Sequence, residues 1–119
     1  MLPTFESGNL LITTDSFQYE DLNIGEIVVF RHNIQMIKRI VAKEGDCLMI
    51  VDGILYVNNT PSLYQFDSIH ASGLLSSPYT VPSGELFCMG DNRNNSIDCR
   101  DFGSIKFEQV KFKILRKIF

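Results

Sequence analysis

The sequence predicts an all-β fold: mainly antiparallel hairpins in a partly closed, barrel-like arrangement with little helix. Three observations carry that prediction. Short runs along most of the chain alternate apolar and polar residues with a period of two, or are rich in β-branched residues. Val51-Asp52-Gly53-Ile54 places Asp-Gly between two apolar runs, the composition of a two-residue hairpin turn. No window carries the long apolar stripe of an amphipathic helix.

In chain order the strand-like runs are NLLITT (9–14), EIVVFR (26–31), QMIKRIVAK (35–43), DCLMIV (46–51), ILYVN (54–58), ELFCMG (85–90) and QVKFKIL (109–115). The fourth and fifth flank the Asp52-Gly53 turn and form its hairpin. Residues 59–84, rich in Ser, Pro, Tyr and Gly, read as an irregular excursion. Hairpins this numerous leave many exposed edges unless the sheet folds on itself, hence the expectation of partial closure. There are no repeats and no composition break, so residues 1–119 are expected to form a single domain. A chain of that length buries roughly two-thirds of its unfolded surface.

Composition excludes several function classes. A net charge of -3 and the lack of a basic stripe with interleaved aromatics exclude a nucleic-acid partner. No apolar run approaches the ~18 residues of a membrane span. Cys47, Cys88, Cys99, His32 and His70 show no paired ligand spacing, so zinc is not expected and the cysteines read as small buried side chains. Asn58-Asn59-Thr60 and Asn94-Asn95-Ser96 are sequons of a kind common by chance. The C-terminal VKFKILRKIF reads as a last strand with a basic polar face, and membrane-surface contact is a further reading of it.

The densest polar stretch is MGDNRNNSIDCRDFG (89–103), with Asp91, Arg93, Ser96, Asp98, Arg100 and Asp101 in one short run. A calcium loop counted from Asp91 would meet Arg93 at its third position and Phe102 where a bidentate glutamate belongs, so no metal is expected. A second anomaly lies in QMIKRIVAK. Alternate residues of a strand share a face, and Lys38 interrupts the apolar row Ile34, Met36, Ile40, Ala42. In one reading Lys38 lies at a strand end or rim and its amine reaches water. In the other its desolvation is functional: burial lowers a lysine pKa by roughly three to five units. The resulting neutral amine can take a proton from a serine hydroxyl.

The successive segments MLPTF (1–5), GEIVVF (25–30), IKRIVAKEGD (37–46), DGILYVN (52–58) and MGDNRNNSIDCRDFG (89–103) resemble, in order, the boxes of type I signal peptidases. The resemblance implies the catalytic core of a serine endopeptidase of the Gram-positive type, which removes signal peptides from exported preproteins with a serine-lysine dyad and no cofactor. It implies that Lys38 is the general base and that Ser96 orients it. Asp98 and Arg100 would be an ion pair bracing the site, with Asp91 and Arg93 in the same supporting box. Met1, Ile34, Met36 and Ile37 would line a cleft for an extended signal-peptide segment. In the family the nucleophilic serine immediately precedes the methionine that matches Met1, so it is absent from these 119 residues. Ser7 falls in a later turn and cannot replace it. The chain as written is therefore expected to be inactive, as an excised core, a late-started reading frame or a catalytically silent relative. A silent relative would be a module that grips exported or surface-assembly polypeptides without cutting them. The parent enzyme would be held by an N-terminal membrane anchor at the extracytoplasmic face of the bacterial plasma membrane.

Overall fold

The computed structural model describes residues 1, 4–6, 8–65 and 73–118. Its strands are β1 (Leu11–Thr14), β2 (Ile27–His32), β3 (Ile34–Lys43), β4 (Cys47–Val51), β5 (Ile54–Val57), β6 (Thr60–Pro61), β7 (Tyr79–Thr80), β8 (Glu85–Met89), β9 (Ile105–Lys106) and β10 (Val110–Lys117). One short helix, α1 (Cys99–Phe102), follows the polar run. The expected runs all became strands, most within a residue or two of the expected ends.

The strands pair antiparallel in two sheets, ordered β1-β10-β2-β3-β8-β9 and β6-β5-β4-β7. These sheets are open, and the expected partial closure into a barrel gives way to two sheets sharing a core. Asp52 (φ 50°) and Gly53 (φ 79°) are both left-handed, which gives the β4–β5 hairpin the turn its sequence demands. At the β2–β3 hairpin the reversal is carried by Asn33 at φ 63°, a conformation asparagine tolerates better than most residues.

One cluster of buried side chains draws on both sheets. Val28, Phe30, Ile40, Val41, Ala42, Leu86 and Phe87 come from the larger sheet, and Leu48, Ile50 and Leu55 from the smaller. Full burial of each large apolar side chain stabilises the fold by roughly 1.5–3 kcal/mol. The 59–84 segment is more than an excursion: Leu75 and Val81 belong to this cluster at 1% and 2% exposure. Residues 66–72, Leu2, Pro3, Ser7 and His70 lie outside the described residues. Cys88 and Cys99 are buried free thiols and Cys47 is half-buried. His32 stacks on Phe102 with ring centroids 4.1 Å apart.

Candidate active site

Lys38 lies on β3, paired across to Val28 of β2, and Met36 is paired to Phe30. Directly opposed residues share a face, so Lys38 and Met36 project on the side of the two fully buried residues Val28 and Phe30. Helix α1 covers that side through Phe102, which meets Phe30 edge-on at 6.4 Å. β8 pairs with β3 only from Arg39 onward, at Arg39↔Met89. Past Met89 the chain leaves the sheet and brings the polar run beside Lys38. Among the described residues, the edge of 34–38 that faces away from β2 carries no paired strand.

There Lys38 Nζ donates to Ser96 Oγ at 2.9 Å. Ser96 Oγ in turn donates to Asp98 Oδ2 at 2.9 Å. The order of donors is fixed by chemistry: an ionised carboxylate only accepts, so the serine proton goes to Asp98 and its lone pairs face the lysine. Burial lowers the Lys38 pKa below its ordinary value, and the Arg100 cation adds to this while Asp98 opposes it. Lys38 is half-buried in the middle of β3, with its amine turned onto Ser96 rather than extended into solvent.

Asp98 is fully buried and is the most heavily bonded side chain of the site. It accepts from the Gly90 amide at 2.9 Å, from the Arg100 amide at 3.1 Å, and from Arg100 Nε and Nη2, each at 2.9 Å. Asp98 is also the N-cap of α1, and its own amide donates back to the Asp101 carboxylate at 3.0 Å. Burial alone would raise its pKa, but the Arg100 side chain and the two amides outweigh it and hold Asp98 below the ordinary carboxylate range. Asp98 and Arg100 thus form a geometric ion pair, with Arg100 Nη2 also donating to the Arg93 carbonyl at 2.9 Å.

Asp91 and Arg93 are placed differently from Asp98. Asp91, also fully buried, takes a two-pronged contact from Arg39 at 2.9 and 2.8 Å and a bond from the Thr4 hydroxyl. Its amide donates to Met1 Sδ at 3.3 Å, and the Phe5 amide donates to the Met1 carbonyl at 2.9 Å. Arg93 donates to the Gly90 carbonyl at 2.8 Å and to the Tyr64 carbonyl at 2.8 Å. Burial pulls the Arg93 pKa down to about 10, which leaves it charged at neutral pH. Met1 is half-buried beside this network, and its amino group is pushed below its ordinary value by burial and then by the nearby Lys38 cation.

The remaining expected cleft residues separate. Met36 packs on the core beside Phe30. Ile37 is half-buried on the opposite face, paired to Val29. Ile34 stands 65% exposed at the hairpin end, about 13 Å along the strand from Lys38. Arg39, Thr4 and Gly90 did not stand out in the sequence. Arg39 looked like one charge on a mixed face, and the glycine of "MGD" looked like an ordinary strand end. A Cβ on Gly90 would lie 2.3 Å from Ser96 Oγ and 3.2 Å from Lys38 Nζ, so the bonded Lys38–Ser96 pair fits only against a bare α-carbon. Among the described residues no group of three His, Cys, Asp or Glu is placed to hold a metal ion, and no helix is long and apolar enough to cross a membrane.

The family model described as signal peptidase, peptidase S26, matches residues 1–115. Signal peptidase I of Bacillus caldolyticus is 35% identical over 130 residues, which span 96% of this chain and 71% of that protein. Signal peptidase I V of Bacillus subtilis is 32% identical over 127 residues, 92% of this chain and 75% of the relative. Among solved structures, a signal peptidase I from Enterococcus faecalis aligns with a TM-score of 0.60 at 26% identity, covering 79% of this chain and 96% of the other.

Proposed function

The chain belongs to the signal peptidase family, peptidase S26, and from that premise we propose that it is the core of a serine endopeptidase that cleaves signal peptides from exported preproteins. The observation that carries the mechanism is the 2.9 Å contact from Lys38 to Ser96, with the Ser96 proton already committed to Asp98. A neutral Lys38 then spends one N–H on Ser96 and keeps its lone pair for a second hydroxyl. The Met1 amino group lies near enough to feel the Lys38 charge. In this proposal the hydroxyl that meets the lone pair belongs to a serine joined to that nitrogen.

In this reading the preceding serine attacks the scissile carbonyl while Lys38 takes its proton. The Lys38 ammonium returns that proton to the leaving amine, and the acyl-enzyme is then hydrolysed by a water that Lys38 deprotonates. Ser96 is the residue that orients the base, and Asp98 with Arg100 holds Ser96. The substrate would add as a strand along the free edge of 34–38, with Met1 and Met36 on the Lys38 side of the cleft and Ile37 on the other. Ile34, at the exposed end, would meet residues well upstream of the scissile bond. A membrane anchor before Met1 would hold the domain at the extracytoplasmic face, where exported chains emerge.

The test compares the 119-residue chain with the same chain extended upstream of Met1 to include the preceding serine, on a preprotein with small residues at and two before the cleavage site. The extended protein should cleave and the shorter one should not. Lys38→Ala and Lys38→Arg should abolish cleavage without unfolding, the latter because a guanidinium stays protonated at working pH. Absence of a nucleophile upstream, with retained binding of the signal peptide, would establish the silent binding module instead.

A further inference from the structure

We propose that Tyr64, from the irregular segment after β6, is a positioning residue for the dyad, acting through Arg39 and Asp91 from the opposite face of the sheet; the kinetic part of this rests on the peptidase reading above. The starting point is a symmetry of the backbone. Lys38 and Arg39 are neighbours on β3, and Gly90 and Asp91 are neighbours in the facing segment. On one side of the sheet Lys38 and Ser96 close on the Gly90 α-carbon. On the other, Arg39 grips Asp91 with two bonds of 2.9 and 2.8 Å. The ion pair therefore sets how far β3 stands from residues 90–91, just past the last β3–β8 pair at Arg39↔Met89. That separation is the one the dyad depends on.

Tyr64 completes the Arg39 site. Arg39 is held in the plane of its guanidinium by Asp91 and by the Gly25 carbonyl, to which Nη1 donates at 2.7 Å. Its face is covered by the Tyr64 ring, with the guanidinium carbon 5.3 Å from the ring centroid. The ring is seated tightly. A Cβ on Gly25 would fall 1.9 Å from the Tyr64 hydroxyl oxygen, so Gly25 is bare where the ring tip rests. The Tyr64 carbonyl separately accepts from Arg93, which is bonded to Gly90. The segment carrying Tyr64 is pinned in turn to β5: Gln65 accepts from the Leu55 amide at 3.3 Å and donates to the Leu55 carbonyl at 2.7 Å. Among the described residues the smaller sheet thus reaches the candidate active site through Tyr64, by its ring on Arg39 and its carbonyl on Arg93. The Arg39 side chain is only 14% exposed and Asp91 is fully buried, and a desolvated, planar-matched pair is stiffer than a solvated one.

The test uses Tyr64→Leu, which keeps apolar bulk but loses the flat π face, and Tyr64→Phe, which keeps the face. The titration of Lys38 is followed by NMR of its side chain in the 119-residue protein, which needs no nucleophile. Tyr64→Leu should move the Lys38 midpoint upward by about 1 pH unit, toward that of a free lysine, while Tyr64→Phe leaves it in place. Leu48→Ala, a core change in the smaller sheet away from Arg39, lowers stability and should leave the Lys38 midpoint unmoved. In the serine-bearing parent, Tyr64→Leu should lower kcat roughly 10- to 100-fold with little change in KM, and Tyr64→Phe should restore it. An unmoved Lys38 midpoint in Tyr64→Leu, or an equal shift in Leu48→Ala, overturns the proposal. A shifted midpoint together with a serine-bearing parent that cleaves nothing would leave Tyr64's role intact and remove the peptidase reading.

Discussion

A lysine can serve as a base near neutral pH only if its charged form is disfavoured, and for Lys38 burial and two charged neighbours weigh most. Burial disfavours the ammonium, Asp98 favours it, and Arg100 cancels part of what Asp98 does. Arg100 thus offsets part of the pull that Asp98 exerts on the Lys38 ammonium. Arg100→Gln should therefore raise the Lys38 pKa and, if the proposed serine-bearing enzyme is assayed, move the acid limb of its cleavage profile to higher pH. An unmoved acid limb would mean that Arg100 only braces the loop. Gly90 makes a steric version of the same point. Its backbone is not in the left-handed region, so the constraint is contact rather than φ. In Gly90→Ala the new methyl must displace Ser96 or Lys38, and cleavage should fall by roughly 100-fold with the fold retained. Full activity with unchanged melting would show that the loop yields at no cost to the dyad.

At the scale of elements, the site is a strand that outlasts its partner. β3 runs ten residues, but β8 accompanies it only from Arg39, and the polar run occupies the place where pairing stops. Helix α1 has four residues, too few to hold its shape by backbone bonds alone. Its stability comes from the Asp98 cap, the return bond to Asp101 and the packing of Phe102. Replacing Asp98 by Asn leaves Arg100 facing a neutral partner in a buried place. Such a change is expected to cost about 3–5 kcal/mol, read as a fall in the unfolding midpoint in denaturant. Replacing both Asp98 and Arg100 with apolar residues of similar volume should cost less than the single change. Single and double variants that all melt like the wild type would mean that the pair does not brace the site. Alternation made the strands legible in the sequence, and Asp52-Gly53 fixed one hairpin because its turn needs two left-handed residues. Lys38 was legible through IKRIVAKEGD (37–46), and Ser96, Asp98 and Arg100 through MGDNRNNSIDCRDFG (89–103), two of the segments that carry the family resemblance. Arg39, Thr4 and Tyr64 were not, because their partners are far away in sequence: Thr4 and Asp91 are 87 residues apart. The closure of the sheets was misjudged because the two-residue strands β6, β7 and β9 are too short to leave a periodic signal.

For the whole molecule, buried titratable groups turn the site into a pH dependence of stability. Lys38 has a folded pKa below that of the unfolded chain, near 10.4. Between those two values the unfolded state binds more protons, so stability rises with pH, and the full penalty of burying the ammonium is felt below the folded pKa. Asp98 is likewise lowered, but from about 3.9. Its contribution is present above that value and is lost as pH falls through the folded pKa. Both groups therefore make the protein more stable as pH rises, one in acid and one in the alkaline range. Cys88 opposes them: burial first, and then its Cys99 neighbour, raise the thiol well above its ordinary value. The unfolded thiol therefore ionises first and stability falls above about pH 8.5. The opposition hides the Lys38 effect in the wild-type curve and calls for a difference measurement. Lys38→Met keeps the length and apolar stem of the side chain and removes the amine, leaving Ser96 bonded to Asp98. Unfolding midpoints of the two proteins from pH 5 to pH 10 should show the variant more stable at neutral pH and the gap narrowing steadily toward pH 10. The Cys88 contribution is common to both and drops out. A variant less stable at neutral pH, or a gap that does not narrow with pH, would mean that the Lys38 ammonium is well solvated in the fold and is no latent base.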